Sequence, residues 1–293
     1  QLMVLLLVLT YVSFTFKILL LQMKIFKNKV NLIKEISKKK DICFVPTMGS
    51  IHRGHLSLIN KAKKESKNTL VSIYVNPKQF NSSLDFRKYP RDLSRDIELL
   101  KKTKIKYLYI PNYNDIYSFK TNVPIYLDKF SHSLCGISRR AHFKGVINVV
   151  NRFLDIIKPK SIYLGMKDFQ QLSLIKSHIK KNIIKTKVIS CSTIRESSGV
   201  AISSRNIRLN KDQKDIAAQI YTFLRDNKKK ILIKNLNNKN YEVIKSIKKL
   251  GVNKIDYLKC LNLKTLKKPQ NVKNKFNLFI AYYIGKVRLI DNL

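Results

Sequence analysis

Two histidines three residues apart are the side chains of this sequence best placed to do chemistry. His52 and His55 lie in PTMGSIHRGH (46–55), between an apolar run and a predicted helix. Residues three apart on a first helical turn share a face, and a helix amino terminus presents free N–H groups to an anion. Gly49 and Gly54 let the backbone approach that anion closely. The pattern predicts a phosphate site where two imidazoles stabilise the charge that builds up during displacement at phosphorus.

Two other interpretations of the histidine pair remain open at the level of sequence. The HxxH spacing occurs in zinc sites, but no third ligand is near it in the chain, so the spacing alone is weak evidence for a metal. The pair is also compatible with two structural histidines whose nitrogens are satisfied within the fold.

Two further motifs carry groups that suit a phosphate. GMKDFQQ (165–171) directly follows an apolar run, so Gly165 and Lys167 fall at the carboxyl end of a predicted strand. Open α/β sheets bind their ligands at such strand ends. TIRESSGVAISSRN (193–206) contains Arg205, whose guanidinium can hold a phosphate with two hydrogen bonds. An ordinary polar loop is the alternative for this last segment.

Two more segments suit an acidic or hydroxylated ligand. In SIYVNPKQF (72–80), Gln79 lies just beyond a predicted strand end, where a neutral amide can hold a hydroxyl and a carboxylate together. LCGISRRAHFKGV (134–146) reads as a loop that brings Arg139 and His142 toward an anion. Taken alone, either segment is equally compatible with a surface loop.

The elements that must position these motifs alternate regularly along the chain. A short strand and a helix are predicted within 23–39, and further strands and helices follow in turn. The strands are predicted at 42–47, 69–76, 105–111 and 161–165, and the helices at 56–67, 91–104, 146–158 and 170–181. This alternation predicts a doubly wound parallel α/β sheet. After about residue 190 the pattern changes: residues 233–262 read as a helix and then a strand, and residues 275–293 as strands, which predicts a second, smaller α+β domain.

Composition excludes several classes of protein. The 293 residues are 44% hydrophobic, which is too apolar for a disordered chain. The net charge of +41 comes mainly from lysine, because only 12 of the 59 basic residues are arginine. Lysine spread evenly among Asn and Ile indicates a coding bias more than a nucleic-acid surface. The four cysteines are far apart and form no zinc or disulfide pattern, so we expect free structural thiols in a reducing compartment.

The first 22 residues differ from the rest. Residues 2–22 are almost continuously apolar and long enough to cross a bilayer, whereas a Lys-rich segment begins at Met23. The favoured interpretation is a mis-set start with Met23 as the functional first residue, and a membrane anchor is the alternative. A secretory signal fits less well, because a basic leading region and a small-residue cleavage site are missing.

Six motifs, in order, resemble those of pantothenate synthetases (pantoate–β-alanine ligases): PTMGSIHRGH, SIYVNPKQF, DFRKYPRD, LCGISRRAHFKGV, GMKDFQQL and GVAISSRN. The tail, with VNKIDYLKCLNLKTL and YYIGKVRLIDN, is also similar, so the resemblance covers about residues 23–293. HxGH alone would indicate only the wider nucleotidylyltransferase superfamily. The ordered set is far more specific.

The resemblance implies a Rossmann-like domain that binds ATP and pantoate over residues 23–190, and a C-terminal lid domain over 191–293. It implies a homodimeric, cytoplasmic ligase with only small-molecule substrates: no specific nucleic acid, and no membrane unless the leader is a true anchor. Pantoate would attack ATP to give pantoyl adenylate and pyrophosphate, and β-alanine would then give pantothenate and AMP. Mg²⁺ would be carried mainly on the ATP phosphates, so no protein metal ligand is assigned.

The resemblance also implies roles for individual residues. His55 would be the catalytic histidine, and Gln79 would bind both pantoate and β-alanine, with Gln171 also on pantoate. ATP would be bound by Met48, Gly49, Ser50, Ile51, His52, Arg53, Gly54, His55, Gly165, Met166, Lys167, Asp168, Ile194, Ile202, Ser203, Ser204 and Arg205.

The chain departs from the family pattern at several positions. Met166 stands where the family usually has Glu, Ser198 replaces a usual Asp, and Arg53 occupies a position that is often acidic. Arg140 and Ala141 replace a usual Pro-Gly. No group assigned to the chemistry is removed, so these changes bear on affinity and rate more than on the type of reaction.

Two rival functions stay open. Another adenylate-forming enzyme of the superfamily would keep His52 and His55 but need not carry Gln79 and Gln171 in these contexts. A basic RNA-binding protein on a decayed enzyme scaffold is the second rival. Against it, the candidate site side chains are present and no aromatic-plus-basic RNA motif appears.

Overall fold

The larger sheet is parallel, and two of the predicted phosphate-binding motifs follow the ends of its strands. The computed structural model describes residues 23–273 and 275–293, and in these ranges six strands pair in the order β1-β4-β3-β2-β5-β6. Their bounds are β1 Lys24–Phe26, β2 Cys43–Thr47, β3 Thr69–Ile73, β4 Tyr107–Tyr109, β5 Ser161–Gly165 and β6 Lys187–Cys191. The predicted apolar leader lies outside the described residues.

Strand β2 lies at the centre because it is apolar and covered on both faces. Its first three residues, Cys43–Val45, are completely buried, as expected for a parallel strand between two helical layers. It pairs with β3 on one side and β5 on the other. The strand order therefore reverses between β2 and β5, and a crevice opens at their carboxyl ends.

The helices begin and end close to the predicted positions, with two starting several residues early. Helix α2 begins at Arg53 rather than at residue 56, and α7 begins at His142 rather than at 146. The helices before β6 are α1 Lys29–Ile36, α2 Arg53–Glu65, α3 Ser83–Arg87, α4 Leu93–Thr103, α5 Tyr113–Tyr117, α6 Cys135–Ser138, α7 His142–Ile157 and α8 Phe169–Lys181. Three-residue 3₁₀ turns at Pro77–Gln79 and Met166–Asp168 follow β3 and β5.

A smaller antiparallel sheet follows, in the order β7-β8-β9. Its elements are α9 Lys211–Asp226, α10 Lys228–Leu236, α11 Asn240–Lys249, β7 Lys254–Asn262, β8 Phe276–Ile284 and β9 Val287–Asn292. Alternate residues of β8 face opposite ways. Phe279 and Ala281 join the core of the parallel sheet, whereas Leu278 and Ile280 pack with α9–α11. The antiparallel sheet is therefore buried between two sets of apolar side chains.

The division of the chain into domains at 190/191 stays a prediction, and the predicted boundary falls within an observed strand. Strand β6 has no counterpart among the predicted elements, and it runs through Cys191, so the predicted boundary falls inside the last strand of the parallel sheet. The mixed parallel and antiparallel architecture otherwise agrees with the predicted α/β fold with a smaller α+β part.

The cysteines and the helices bear on two other predictions. All four cysteines are free and buried, as expected for structural thiols. Within residues 23–273 and 275–293, no helix is both long and apolar enough to cross a membrane.

Candidate active site

A cavity of about 270 Å³ opens where β2 and β5 end. It brings together most of the residues that the sequence assigned to substrates. Those that line it are Met48, His52, Gly54, His55, Gln79, Gly165, Lys167, Asp168, Gln171, Ile194, Ile202, Ser203, Ser204 and Arg205. The five others assigned to ATP, which are Gly49, Ser50, Ile51, Arg53 and Met166, do not line it.

Three of those five form the tight turn between β2 and α2. Gly49 and Ser50 both have left-handed backbones, with φ of 75° and 52°. The amides of Ser50 and Ile51 donate to the buried carboxylate of Asp96, each at 2.7 Å. Those N–H groups are therefore occupied by the protein itself. Their role in this structure is to fix the turn rather than to face the cavity.

Asp96 is a positioning residue that the sequence did not identify. It lies on α4, 46 residues beyond Ser50, and neither spacing nor motif links the two. Burial raises the pKa of Asp96, and the two backbone amides oppose that rise because they donate to the charged form. A Cβ added to Gly49 would lie 2.8 Å from its Oδ2, so the close approach of Asp96 also requires the glycine.

The other two residues that do not line the cavity are held elsewhere. The Arg53 guanidinium forms an exposed ion pair with Glu196. The Met166 side chain packs against the core of the parallel sheet, and its carbonyl accepts a hydrogen bond from Asn292 Nδ2 at 2.9 Å. Because of these contacts, the two departures from the family pattern at Arg53 and Met166 lie outside the cavity lining.

His52 and His55 lie face to face at the start of α2. His52 caps the helix, and its Nδ1 accepts from the His55 amide at 3.4 Å, which leaves the proton on Nε2. The two rings stack with centroids 3.9 Å apart. Burial, followed by the charge of Lys167, lowers the pKa of His52 to about 4. Burial lowers the pKa of His55 well below its ordinary value. Both rings are therefore neutral at pH 7 and can donate hydrogen bonds without carrying charge.

The turn after β5 carries Lys167 and is fixed by the last strand. Asn292 of β9 donates from Nδ2 to the carbonyls of Met166 and Lys167, each at 2.9 Å. Lys167 Nζ lies 3.4 Å from Asp168 Oδ2. Through Asn292, the antiparallel sheet therefore fixes the backbone of the turn that carries Lys167. Asn292 was not singled out in the sequence, because its contact spans more than 120 residues.

A short antiparallel turn forms another part of the cavity wall. Ile202 N donates to Ile194 O at 3.0 Å, and Arg195 bridges to Ala201. Arg195 also forms a partly buried ion pair with Asp291 of β9, at 2.7 Å. Through these contacts the segment that carries the predicted serine–arginine cluster is fixed to the smaller sheet.

Gln79 lines the same cavity from the 3₁₀ turn that follows β3. Its Nε2 contacts Met48 Sδ at 2.8 Å, and its Oε1 accepts from Asn76 Nδ2 at 3.2 Å. Asn76 is buried, and it also donates to the carbonyl of Gly145 at 3.1 Å. Asn76 is a second positioning residue that the sequence reasoning missed, although it belongs to the quoted SIYVNPKQF segment.

Arg139 and His142 also line the cavity. The sequence reasoning singled out their segment but did not include them among the binding residues. His142 Nδ1 lies 2.7 Å from the Gln79 carbonyl oxygen, and Arg139 Nη1 lies 3.2 Å from His142 Nε2. Burial and the Arg139 charge lower the pKa of His142 to about 3, so this ring is neutral.

The described residues contain no group of three or more His, Cys, Asp or Glu side chains arranged to hold a metal ion. His52 and His55 stack rather than converge on a point. Asp168 is the lining carboxylate next to Lys167, and Asp291 is held by Arg195.

Comparison with known proteins then decides the family. The family model for pantoate-beta-alanine ligase matches residues 22–293. The chain belongs to this family. A pantothenate synthetase from Clostridium botulinum is 39% identical over 275 residues, covering 90% of this chain and 98% of the relative. Another, from Pseudothermotoga lettingae, is 38% identical over 263 residues, covering 89% and 94%.

Solved structures agree with this family assignment. A pantoate-beta-alanine ligase from Francisella tularensis, complexed with beta-gamma ATP and beta-alanine, has a TM-score of 0.78 at 38% identity and covers 92% of this chain and 97% of that one. The enzyme from Thermus thermophilus has a TM-score of 0.83 at 30% identity and covers 92% and 99%. The predicted family, fold class and ligase activity are confirmed, and the two rival functions are not supported.

Proposed function

We propose that this chain joins pantoate to β-alanine in two steps within the cavity between β2 and β5. The observation that carries the proposal is the convergence of a neutral histidine pair, a lysine and a serine–arginine cluster on the same cavity as Gln79 and Gln171. A nucleotide and two small acids are the ligands that such a set of groups fits. That the Francisella relative binds an ATP analogue and beta-alanine supports the same assignment.

In the first step the pantoate carboxylate attacks the α-phosphorus of ATP, and the bond to pyrophosphate breaks. Displacement at phosphorus needs alignment and charge stabilisation rather than a protein nucleophile. The Nε2–H of neutral His52 donates to the phosphate oxygens, and His55 lies against it at ring-stacking distance. Lys167 and Arg205 balance the charge of the departing pyrophosphate.

In the second step the amine of β-alanine attacks the carbonyl carbon of pantoyl adenylate. The bond to AMP breaks, and the amine loses a proton as the amide forms. Gln79 holds both acids in this scheme, since its amide is fixed between Met48 and Asn76. Closure of the cavity over the adenylate would protect it from hydrolysis.

Mg²⁺ enters this proposal with the nucleotide. When bound, it would neutralise phosphate charge, and of the two lining carboxylates Asp168 would be the one to contact it, since Asp291 is paired with Arg195. A homodimer, a cytoplasmic location and closure of a C-terminal lid also belong to the proposal, and each follows from the family resemblance.

The test uses protein that starts at Met23, incubated with ATP, Mg²⁺ and pantoate, with and without β-alanine. We expect pantothenate and AMP only when all substrates are present. His55→Ala should lower the rate by about 100-fold or more, because it removes the catalytic histidine implied by the family resemblance and the ring stacked on His52. His132→Ala is the matched control, since His132 is an exposed histidine outside the cavity. Folded wild-type protein that makes neither pyrophosphate nor pantothenate would contradict the proposal.

A further inference from the structure

One cation in the wall of the cavity has no carboxylate partner among the described residues. The other lining cations are each paired with an acid. The pairs are Lys167 with Asp168, Arg205 with Asp85 and Arg288 with Asp256, at 3.4, 3.3 and 2.8 Å. Arg139 instead contacts a neutral imidazole and a backbone carbonyl.

The guanidinium of Arg139 is fixed in place by Gln79 and His142. Its Nη2 donates to the Gln79 carbonyl at 3.3 Å, and its Nη1 donates to His142 Nε2 at 3.2 Å. His142 Nδ1–H donates to the same carbonyl at 2.7 Å, which requires the tautomer that accepts at Nε2. Two of the five N–H donors of Arg139 are therefore used, and the rest of the fork remains for a ligand.

In the described part of the chain, the charge of Arg139 is not balanced by a carboxylate in this position. Burial and the charges of Arg205 and Arg288 lower the pKa of Arg139 to about 10, so it still carries its proton at pH 7. The guanidinium is partly buried and has no carboxylate partner among the described residues, so a bound carboxylate would stabilise its charge. The planar fork of arginine matches a carboxylate with two parallel hydrogen bonds.

The two-step reaction indicates which carboxylate this is. Pantoate uses its carboxylate to attack phosphorus, so that group has to reach the histidine end of the cavity. β-Alanine reacts through its amine and keeps its carboxylate throughout, so a cation is needed to hold the unreacted end. Arg139 is fixed to the backbone of Gln79, the residue assigned to both acids.

We propose that Arg139 binds the carboxylate of β-alanine and thereby selects an amine nucleophile that carries an acid at its far end. This inference rests on the proposed function, because it presumes a second step in which an amine attacks the adenylate. Arg139 would be a binding and specificity residue for that step only. His142 would be a positioning residue that acts through Arg139.

The experiment compares Arg139→Gln, Arg139→Lys and Arg140→Gln. Arg140 is the neighbouring arginine, is exposed and does not line the cavity, so its substitution removes the same charge without touching the site. Pyrophosphate release with ATP and pantoate alone measures the first step, and pantothenate formation measures both. We expect Arg139→Gln to raise the KM for β-alanine by about 10- to 100-fold, as loss of a charge-assisted pair does. Arg139→Lys should recover part of that loss, and Arg140→Gln should behave as wild type.

A second readout separates binding from a merely structural role. 3-Aminopropanol has the same amine but no carboxylate, so wild type should prefer β-alanine strongly by kcat/KM. We expect Arg139→Gln to lower this preference by about the same factor as it raises the KM for β-alanine. A structural defect would slow both amines alike and leave the ratio unchanged.

Two outcomes would overturn the inference. One is a raised KM for pantoate or ATP in the first step, with β-alanine unaffected, which would place Arg139 on the other substrates. The other is an unchanged preference between the two amines in a folded Arg139→Gln or Arg139→Lys variant. Failure of the proposed function is a different result, because then wild type itself would release no pyrophosphate with pantoate.

Discussion

At the scale of single residues, the site depends on imidazoles that are neutral at physiological pH. His52, His55 and His142 all have a lowered pKa, and burial is the first cause for each. A neutral imidazole donates from one nitrogen and accepts at the other. Both His52 and His142 use this property, since each accepts at one nitrogen while the other carries the proton. Protonated rings would repel Lys167 and Arg139 and break these bonds.

This argument makes a prediction for the pH titration of the ring nitrogens. With a pKa of about 4, only about 1% of His52 carries the second proton at pH 6. A lowered pKa keeps the neutral form to lower pH, so protonation should begin only below about pH 5. In ¹⁵N spectra of the imidazoles, assigned with His52→Asn and His55→Asn, we expect constant shifts for both rings from about pH 8 to pH 6.

Two charged groups that face His52 change its pKa in opposite directions. Lys167 lowers its pKa and Asp168 raises it, while burial remains the largest cause. N-Acetylhistidine in the same sample gives an internal reference that titrates near 6.5. A midpoint near 6.5 for His52 or His55 would mean that burial does not hold the ring neutral, and about a quarter of it would be charged at pH 7, contrary to the proposed neutral donors.

At the scale of elements, the contact between α7 and the turn after β3 fixes the part of the cavity wall that carries Gln79. A Cβ added to Gly145 would lie 2.1 Å from the carbonyl oxygen of Lys78 and 2.7 Å from the amide nitrogen of Gln79. The helix therefore packs directly on the backbone that carries Gln79. His142, the first residue of that helix, and Arg139, three residues before it, contact the same turn.

Gly145→Ala should push α7 away from this turn. In an ordinary helix the change from Gly to Ala stabilises by about 0.5–1 kcal/mol. Here we expect the opposite sign, a loss of about 1–3 kcal/mol in the free energy of unfolding, because a backbone atom occupies the space of the new methyl group. The KM for β-alanine should rise by at least about 10-fold, since Gln79 and Arg139 would no longer be aligned. Urea unfolding and steady-state kinetics measure the two effects.

Gly165→Ala is the matched control for stability. It also lies beside the cavity, but its φ is −76° and a Cβ would meet nothing within 4 Å. Its free energy of unfolding should stay within about 0.5 kcal/mol of wild type. If Gly145→Ala were as stable as Gly165→Ala, the packing of α7 on the turn would not be what aligns Gln79.

The sequence indicated strongly apolar elements and local motifs well, and long-range contacts poorly. Strand β5 was predicted with its observed bounds, and β2 within one residue, because each is a short buried run next to glycine or proline. Strand β6 was missed since it is a partly exposed edge strand with two lysines nearby. Helix α9 was missed although Asn210 and Gln213 form a capping box, a spacing that is visible in the sequence.

The same distinction holds within the site. His52 and His55 could be found because their relation is local to one helical turn. Asp96 and Asn292 could not, because their contacts join residues 46 and more than 120 positions apart. The resemblance assigned Ser50 to ATP without indicating that its amide is occupied by Asp96.

At the scale of the whole molecule, the two sheets share one core. Tyr257 and Phe279 from the antiparallel sheet belong to the same apolar cluster as Phe44 and Phe153 of the parallel part. The Phe279 ring lies 5.3 Å from that of Phe169, the first residue of α8 and the neighbour of Asp168. Since β9 also holds the turn after β5 through Asn292, the smaller sheet is part of the scaffold that positions the cavity. Closure of a lid would therefore have to leave this shared core intact.

Phe279→Ala tests whether the two sheets unfold together. Removal of a buried phenylalanine from a core costs about 3–5 kcal/mol. Because the core is shared, we expect hydrogen exchange to accelerate by the same factor for the amides of β2 and β8, which would both exchange through global unfolding. Tyr241→Ala is the control, since that ring is 66% exposed and its loss should change neither strand. If β8 lost protection while β2 kept that of wild type, residues 191–293 would open as an independent domain, and the cavity would be assembled by docking of two separately folded parts.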